Sequence, residues 1–260
     1  MAYTTIHTEN RAPVALVTLD RPRALNALNA QMLDELNDAF ANLAEDAAIR
    51  VVLVTGAGER AFAAGADITE LASLTADEGE AFARRGQDVM RKIETLGKPV
   101  IACIRGFALG GGCELALACT LRLAADDAKL GQPEVKLGLI AGYGGLERLP
   151  RLVGRGAGLK LLLTGAMIDA QEALRIGLVD EVAPAASLMA RAEELARQIA
   201  ANAPAAVAET LQAVDEGLDL PLDQALRLGA ARFGRLCGTS EMVEGTSAFL
   251  EKRHPVWTSH

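Results

Sequence analysis

Clustered histidine, paired cysteine and excess positive charge are missing from this sequence, and aromatic residues are scarce. Of 260 residues only 3% are aromatic, and 26 Lys and Arg stand against 34 Asp and Glu, a formal charge of −8. Nucleic-acid binding needs basic side chains on phosphates and rings on bases, so that class is set aside. The four cysteines (Cys103, Cys113, Cys119, Cys237) lack CxxC spacing, and three lie inside apolar runs. A disulfide framework and a structural zinc site therefore fail together, and reduced, buried thiols in a reducing compartment are expected. The three histidines, His7, His254 and His260, are confined to the chain ends. With no G-x-S-x-G elbow either, a Ser/His/Asp triad or a histidine metal site has little material. The first eleven residues lack the basic start and apolar core of a secretory signal. The most membrane-like stretch, Pro99 to Cys119, contains Arg105, Glu114 and a glycine run, and each central charge costs about 2.5–3.5 kcal/mol in a bilayer. A soluble, cytoplasmic protein without metal is expected.

What is present suits a folded domain: half the residues are hydrophobic and 23% are charged. A chain of this length can bury roughly 70–75% of its unfolded surface. Val14 to Leu19 and Val51 to Val54 read as strands ended by Asp20-Arg21-Pro22 and Thr55-Gly56. Between them Met32, Leu33, Leu36, Phe40 and Leu43 recur at helical spacing behind a cap at Asn29. The alternation continues with a helix near Asp77 to Leu96, a strand from Pro99 to Ile104, a helix from about Gly111 to Cys119 and a strand near Leu121 to Ala125. This predicts an α/β fold with largely buried strands. After about Ala185 only amphipathic helices follow: Ser187–Ala200, Pro204–Glu216, Leu222–Leu236 and Ser240–Lys252. The expected division is a core of residues 1–195 and a helical region of residues 196–260, a lid or an assembly surface.

Three loops combine glycine with acid: Ala61 to Ile68, Gly106 to Glu114, and Gly131 to Gly138 leading into Gly142-Tyr143-Gly144-Gly145. None is a phosphate loop, because Gly111 is followed by Gly112 rather than Lys, and none supplies the dinucleotide spacing G-x-G-x-x-G. Backbone donors and carboxylates remain. In the second loop a strand delivers glycines into a helix N-terminus, where free N–H groups and the dipole favour a developing anion. Glu114 follows Gly111 by one helical turn, so an oxyanion site and an acid/base group can share one pocket. Glu114 is equally readable as a capping partner of its helix, and Glu134 as a solvated turn residue after Pro133.

Taken together, these motifs resemble the crotonase family, the enoyl-CoA hydratase and isomerase superfamily. The likeness spans Arg21-Pro22-Arg23-Ala24-Leu25-Asn26-Ala27-Leu28, Ala63-Ala64-Gly65-Ala66-Asp67-Ile68, Ala108-Leu109-Gly110-Gly111-Gly112-Cys113-Glu114, Gly131-Gln132-Pro133-Glu134, and Ser247 to Arg253. It implies a crotonase-like spiral of ββα units with a C-terminal helical trimerisation region, assembled as a homo-oligomer (a trimer or a dimer of trimers).

The same resemblance assigns roles. The N–H groups of Ala66 and Gly111 become the oxyanion hole for a thioester carbonyl, Glu114 and Glu134 the acid/base pair, and Gly142 an N–H donor near the water. Coenzyme A, part of the substrate rather than a separate cofactor, would meet the Ala64 carbonyl, Ile68, Arg23, Ala24, Asp67 and Leu109, with Phe249 and Lys252 reaching it from a neighbouring subunit. The paired glutamates single out an enoyl-CoA hydratase, adding water syn to a short-chain 2-trans-enoyl-CoA. A double-bond isomerase or another acyl-CoA lyase of the family is the alternative, and a non-catalytic acyl-CoA-binding subunit is a second. Departures lie at Ala141, Tyr143, Leu146 and Glu147, where many hydratases carry Pro, Ala, Thr and Gln, and at Thr69, where a lysine often stands.

Overall fold

In the computed structural model, which describes residues 3–257 and so leaves His260 outside the described residues, the apolar runs become strands buried on both faces. In chain order the elements are β1 (Ile6–Arg11), β2 (Val14–Leu19), α1 (Ala30–Glu45), β3 (Val51–Gly56), β4 (Ala61–Ala63), α2 (Ile68–Leu71), α3 (Ala76–Glu94), β5 (Val100–Ile104), β6 (Phe107–Leu109), α4 (Gly111–Ala118), β7 (Leu121–Ala125), β8 (Lys129–Gly131), α5 (Gly145–Val153), α6 (Arg155–Thr164), β9 (Met167–Asp169), α7 (Ala170–Arg175), β10 (Glu181–Ala183), α8 (Leu188–Ala200), α9 (Pro204–Gly217), α10 (Leu222–Leu236) and α11 (Ser240–Leu250). A six-stranded sheet runs β1-β2-β3-β5-β7-β10 and a four-stranded sheet runs β4-β6-β8-β9. Among the described residues only the β1–β2 and β8–β9 pairs are antiparallel.

The connectivity is a repeated step. β3 then β4, β5 then β6, and β7 then β8 each place one strand in the large sheet and the next in the small one before a helix returns the chain. The result is the ββα spiral that the resemblance implies. Side-chain alternation in the large sheet splits the core. Val52, Val54 and Ala102 face α1 and α3, whereas Val51, Leu53, Ile101 and Cys103 face α8 through Leu188, Ala192, Ala196 and Ala200. The expected division at 195 therefore falls inside a helix that packs on the sheet, and the sheet-packed region ends at Ala200.

Local signals act as read. Asn29 caps α1 by accepting from the Met32 N–H at 3.0 Å, and Thr75 with Glu78 forms a capping box on α3. Three-residue strands inside the glycine loops, β4, β6 and β8, are too short to show periodicity in the sequence. Among the described residues no helix is long and apolar enough to cross a membrane.

Candidate active site

Everything at the site hangs on the start of α4. β6 ends at Leu109, Gly110 turns the chain with φ +49°, and the helix begins at Gly111. This end of α4 lies against β4 so closely that a Cβ on Gly112 would sit 2.0 Å from the Ala63 carbonyl oxygen. Only glycine permits that approach. As the first helical residue, Gly111 has an N–H without an intrahelical acceptor, and it finds none elsewhere among the described residues.

The Ala66 N–H is likewise unbonded among the described residues, although its neighbours are pinned. Leu28 N–H donates to the Gly65 carbonyl and Asp67 N–H to the Leu28 carbonyl, both at 2.8 Å. The two free amides are neighbours, since a Cβ built on Gly111 would lie 3.2 Å from the Ala66 nitrogen. Two unsatisfied donors at a buried helix N-terminus are chemically suited to a developing anion without any cationic side chain.

Glu114 lies one turn into α4 and is 2% exposed. Its carboxylate does not cap its own helix: Oε1 accepts from the backbone N–H groups of Tyr143 and Gly145, both at 2.7 Å. Burial, reinforced by the charge of Glu134, pushes its pKa up to about 8 against the pull of those two N–H donors and of Arg148. Glu134 opens the 3-10 turn Glu134–Leu137 and is half-buried rather than solvated. Burial raises its pKa too. With the Gln132 amide turned so that its nitrogen faces Glu134, Gln132 donates to both carboxylate oxygens at 2.9 and 3.2 Å; the opposite orientation sets oxygen against oxygen. Glu134 Oε1 reaches α4 as well, 2.9 Å from where a Cβ on Gly110 would stand.

Ala64, Ala66, Ile68, Gly111, Glu114, Glu134 and Gly142 thus line a single cavity of about 700 Å³, whose remaining wall is largely apolar: Leu71, Leu74, Phe82, Leu139, Ile140 and Leu146. This is the size and character of a small-molecule site. The other expected contacts do not line it. Arg23 and Ala24 are exposed in the 3-10 turn Pro22–Ala24, and Leu109 is the last residue of β6. Asp67 spends its carboxylate on the Thr69 N–H and hydroxyl and on Arg21, which hold its pKa low. Phe249 and Lys252 lie exposed at the end of α11, away from this chain's own cavity.

Comparison with known proteins matches residues 9–260 to the family Enoyl-CoA hydratase/isomerase. The chain belongs to the enoyl-CoA hydratase/isomerase family. Within it, the chain is 45% identical to the short-chain-enoyl-CoA hydratase of Clostridium acetobutylicum, over 94% of each protein. It is also 45% identical to the crotonyl-CoA hydratase of Syntrophomonas wolfei, over 97% of each. A crystal structure of enoyl-CoA hydratase from Bacillus anthracis superposes with a TM-score of 0.96 at 40% identity, covering 99% of this chain and 100% of that one.

For this family member, sequence reasoning overlooked the groups that hold the carboxylates. The N–H donors of Tyr143 and Gly145 have no side-chain signature. Gln132, 1% exposed, stood inside a motif without a role; a polar residue at the inner end of a buried strand was the available signal.

Proposed function

We propose that this protein is an enoyl-CoA hydratase that reversibly adds water, syn, across C2 and C3 of a short-chain trans-2-enoyl-CoA. The observation that supports this reading is the convergence of two free amides, Ala66 and Gly111, with two carboxyl groups, Glu114 and Glu134, in one largely apolar cavity. The thioester carbonyl accepts from both amides. As water attacks C3, the C2–C3 π electrons move toward C2 and the carbonyl oxygen gains charge. Two aimed donors stabilise that enolate, each contributing on the order of 3 kcal/mol.

The pair of carboxyls divides the protons. Below about pH 8 the pair retains one, because burial and mutual repulsion oppose complete ionisation. Two N–H bonds to Oε1 favour the charged form of Glu114, which takes a proton from the attacking water. Glu134 delivers its proton to C2. One water is consumed, and its second proton stays on the new hydroxyl at C3. Gly142, whose carbonyl accepts from Gln87 at 2.8 Å, borders the water's place.

Coenzyme A enters as part of the substrate, and no separate cofactor or metal takes part in these steps. The exposed apolar side chains of α9 to α11 are read as the surface of a homo-oligomer, trimer or hexamer, through which Phe249 and Lys252 reach a neighbour's coenzyme A. Four unpaired cysteines, three of them buried, suit a reducing, cytoplasmic setting.

The test is turnover: purified protein with crotonyl-CoA is expected to lose the conjugated-thioester absorbance and form 3-hydroxybutyryl-CoA. Folded protein that leaves crotonyl-CoA unchanged but converts a 3-enoyl-CoA to its 2-isomer would assign the isomerase reaction instead. Binding of acyl-CoA without either conversion would assign the non-catalytic role.

A further inference from the structure

The ring of Tyr143 lies in the wall of the cavity that holds Glu114, and its buried hydroxyl has no hydrogen-bond partner among the described residues. The ring is gripped by packing. Its seat is a slot between two helices. On one side a Cβ on Gly86, in the middle of α3, would lie 2.0 Å from Cδ1 and 2.3 Å from Cε1 of the ring. On the other, a Cβ on Gly111 would lie 3.2 Å from both Cδ2 and Cε2. Phe82, one turn before Gly86, faces the ring with centroids 5.5 Å apart.

Gly86 carries a cost of its own, since glycine is less favourable than alanine in a helix interior. The space it leaves is filled by Tyr143. The same residue's backbone N–H donates to Glu114, and its ring edge abuts Gly111, whose N–H belongs to the oxyanion pair. A single residue therefore connects α3 and the amide end of α4 through its ring and the Glu114 carboxylate through its backbone N–H.

We propose that Tyr143 is a positioning residue: its ring, seated in the slot left by Gly86, fixes the loop whose N–H groups hold Glu114 and sets that carboxylate relative to the Gly111 amide. This deepens the reading of Glu114 as a working carboxyl and rests on it. Because the ring acts through Glu114 and the amide end of α4, its loss lowers kcat rather than substrate affinity.

The experiment is a double-mutant cycle on hydration of crotonyl-CoA, with folding checked by circular dichroism. Turnover by the unmodified protein is established first; its absence would remove the proposed function and not this inference alone. Y143A is expected to lower kcat ~10- to 100-fold, the scale of a misplaced catalytic group, with KM changed less than ~3-fold. Y143F, which keeps the ring and drops only the unpartnered hydroxyl, recovers most of that loss. G86A, whose methyl displaces the ring, loses kcat as Y143A does, yet adds no further loss in G86A/Y143A, where the methyl has room. If G86A does not fold, the comparison of G86A/Y143A with Y143A still reads the coupling. A Y143A enzyme with undiminished kcat, a loss confined to KM, no recovery in Y143F, or a further loss in the double variant that multiplies the single ones would each overturn the proposal.

Discussion

Up to Ala200 the chain buries its apolar side chains against itself; beyond that point it largely does not. In the first region α4 is buried along its whole length, and both faces of the large sheet are covered by helices. In the second, α9 has no buried residue, α10 has only Arg232 and α11 only Ala248. Arg232 binds Glu209, Gln212 and Glu216, tying α10 to α9 by charge instead of by a core. Meanwhile Leu218, Leu222, Phe233 and Leu250 are more than two-thirds exposed. Exposed apolar area of this kind is the usual mark of a protein–protein contact. The difference separates two regions: the first holds the groups that line the cavity, while the tail's exposed side chains are, on the proposed reading, the surface of a homo-oligomer.

Substitutions can break that separation, and the largest effect belongs to the carboxyls. E114Q and E134Q are each expected to reduce kcat on crotonyl-CoA by at least ~10²-fold without changing particle mass, as measured by turnover and light scattering. Activity surviving in either variant would remove that carboxyl from the chemistry.

The pH dependence sharpens the same point. A carboxyl raised to about 8 stays protonated below that pH and ionises above it, so kcat/KM should fall as pH rises through about 8, when the pair loses its remaining proton. For folding the sign follows from linkage. Between the ordinary carboxylate value of 4.5 and about 8 the folded state holds on the Glu114–Glu134 pair a proton that the unfolded chain has released, so stability declines as pH rises across that window. E114Q should flatten this decline in thermal melts at a series of pH values. An equal decline in the variant would assign it to other groups.

Smaller effects probe the frame. G112A forces a methyl against the Ala63 carbonyl and should cost about 1–3 kcal/mol together with activity, since α4 must shift. In the tail, L226E with F233E should leave the core's circular dichroism intact and shift light-scattering mass toward a single chain of 27.2 kDa. An unmodified protein that is already monomeric would contradict the reading of this surface. The smallest effect is N29A, which removes the α1 cap for about 1 kcal/mol in denaturant melts, with kcat unchanged.

How much of this was legible depends on what each residue shows in one dimension. The apolar runs Val14–Leu19 and Val51–Val54 and the capped helix behind Asn29 carry period and punctuation, so they were readable. The three-residue strands β4, β6 and β8 carry neither. Glu114 and Glu134 stood out because acid beside glycine is unusual. Their local readings, a cap and a solvated turn, were reversed by groups distant in the chain: the Tyr143 and Gly145 amides for one, burial beside Gly110 and Gln132 for the other. The fit of Tyr143 to Gly86 is a meeting of loop and helix that no local pattern announces.

The most direct measurement is a crystal structure of E134Q with crotonyl-CoA bound. The thioester oxygen is expected within hydrogen-bond distance, about 3 Å, of both the Ala66 and Gly111 nitrogens, with Glu114 beside C3. A thioester oxygen bonded to neither amide, or an enoyl group lying outside the space between residues 114 and 134, would contradict the proposed mechanism.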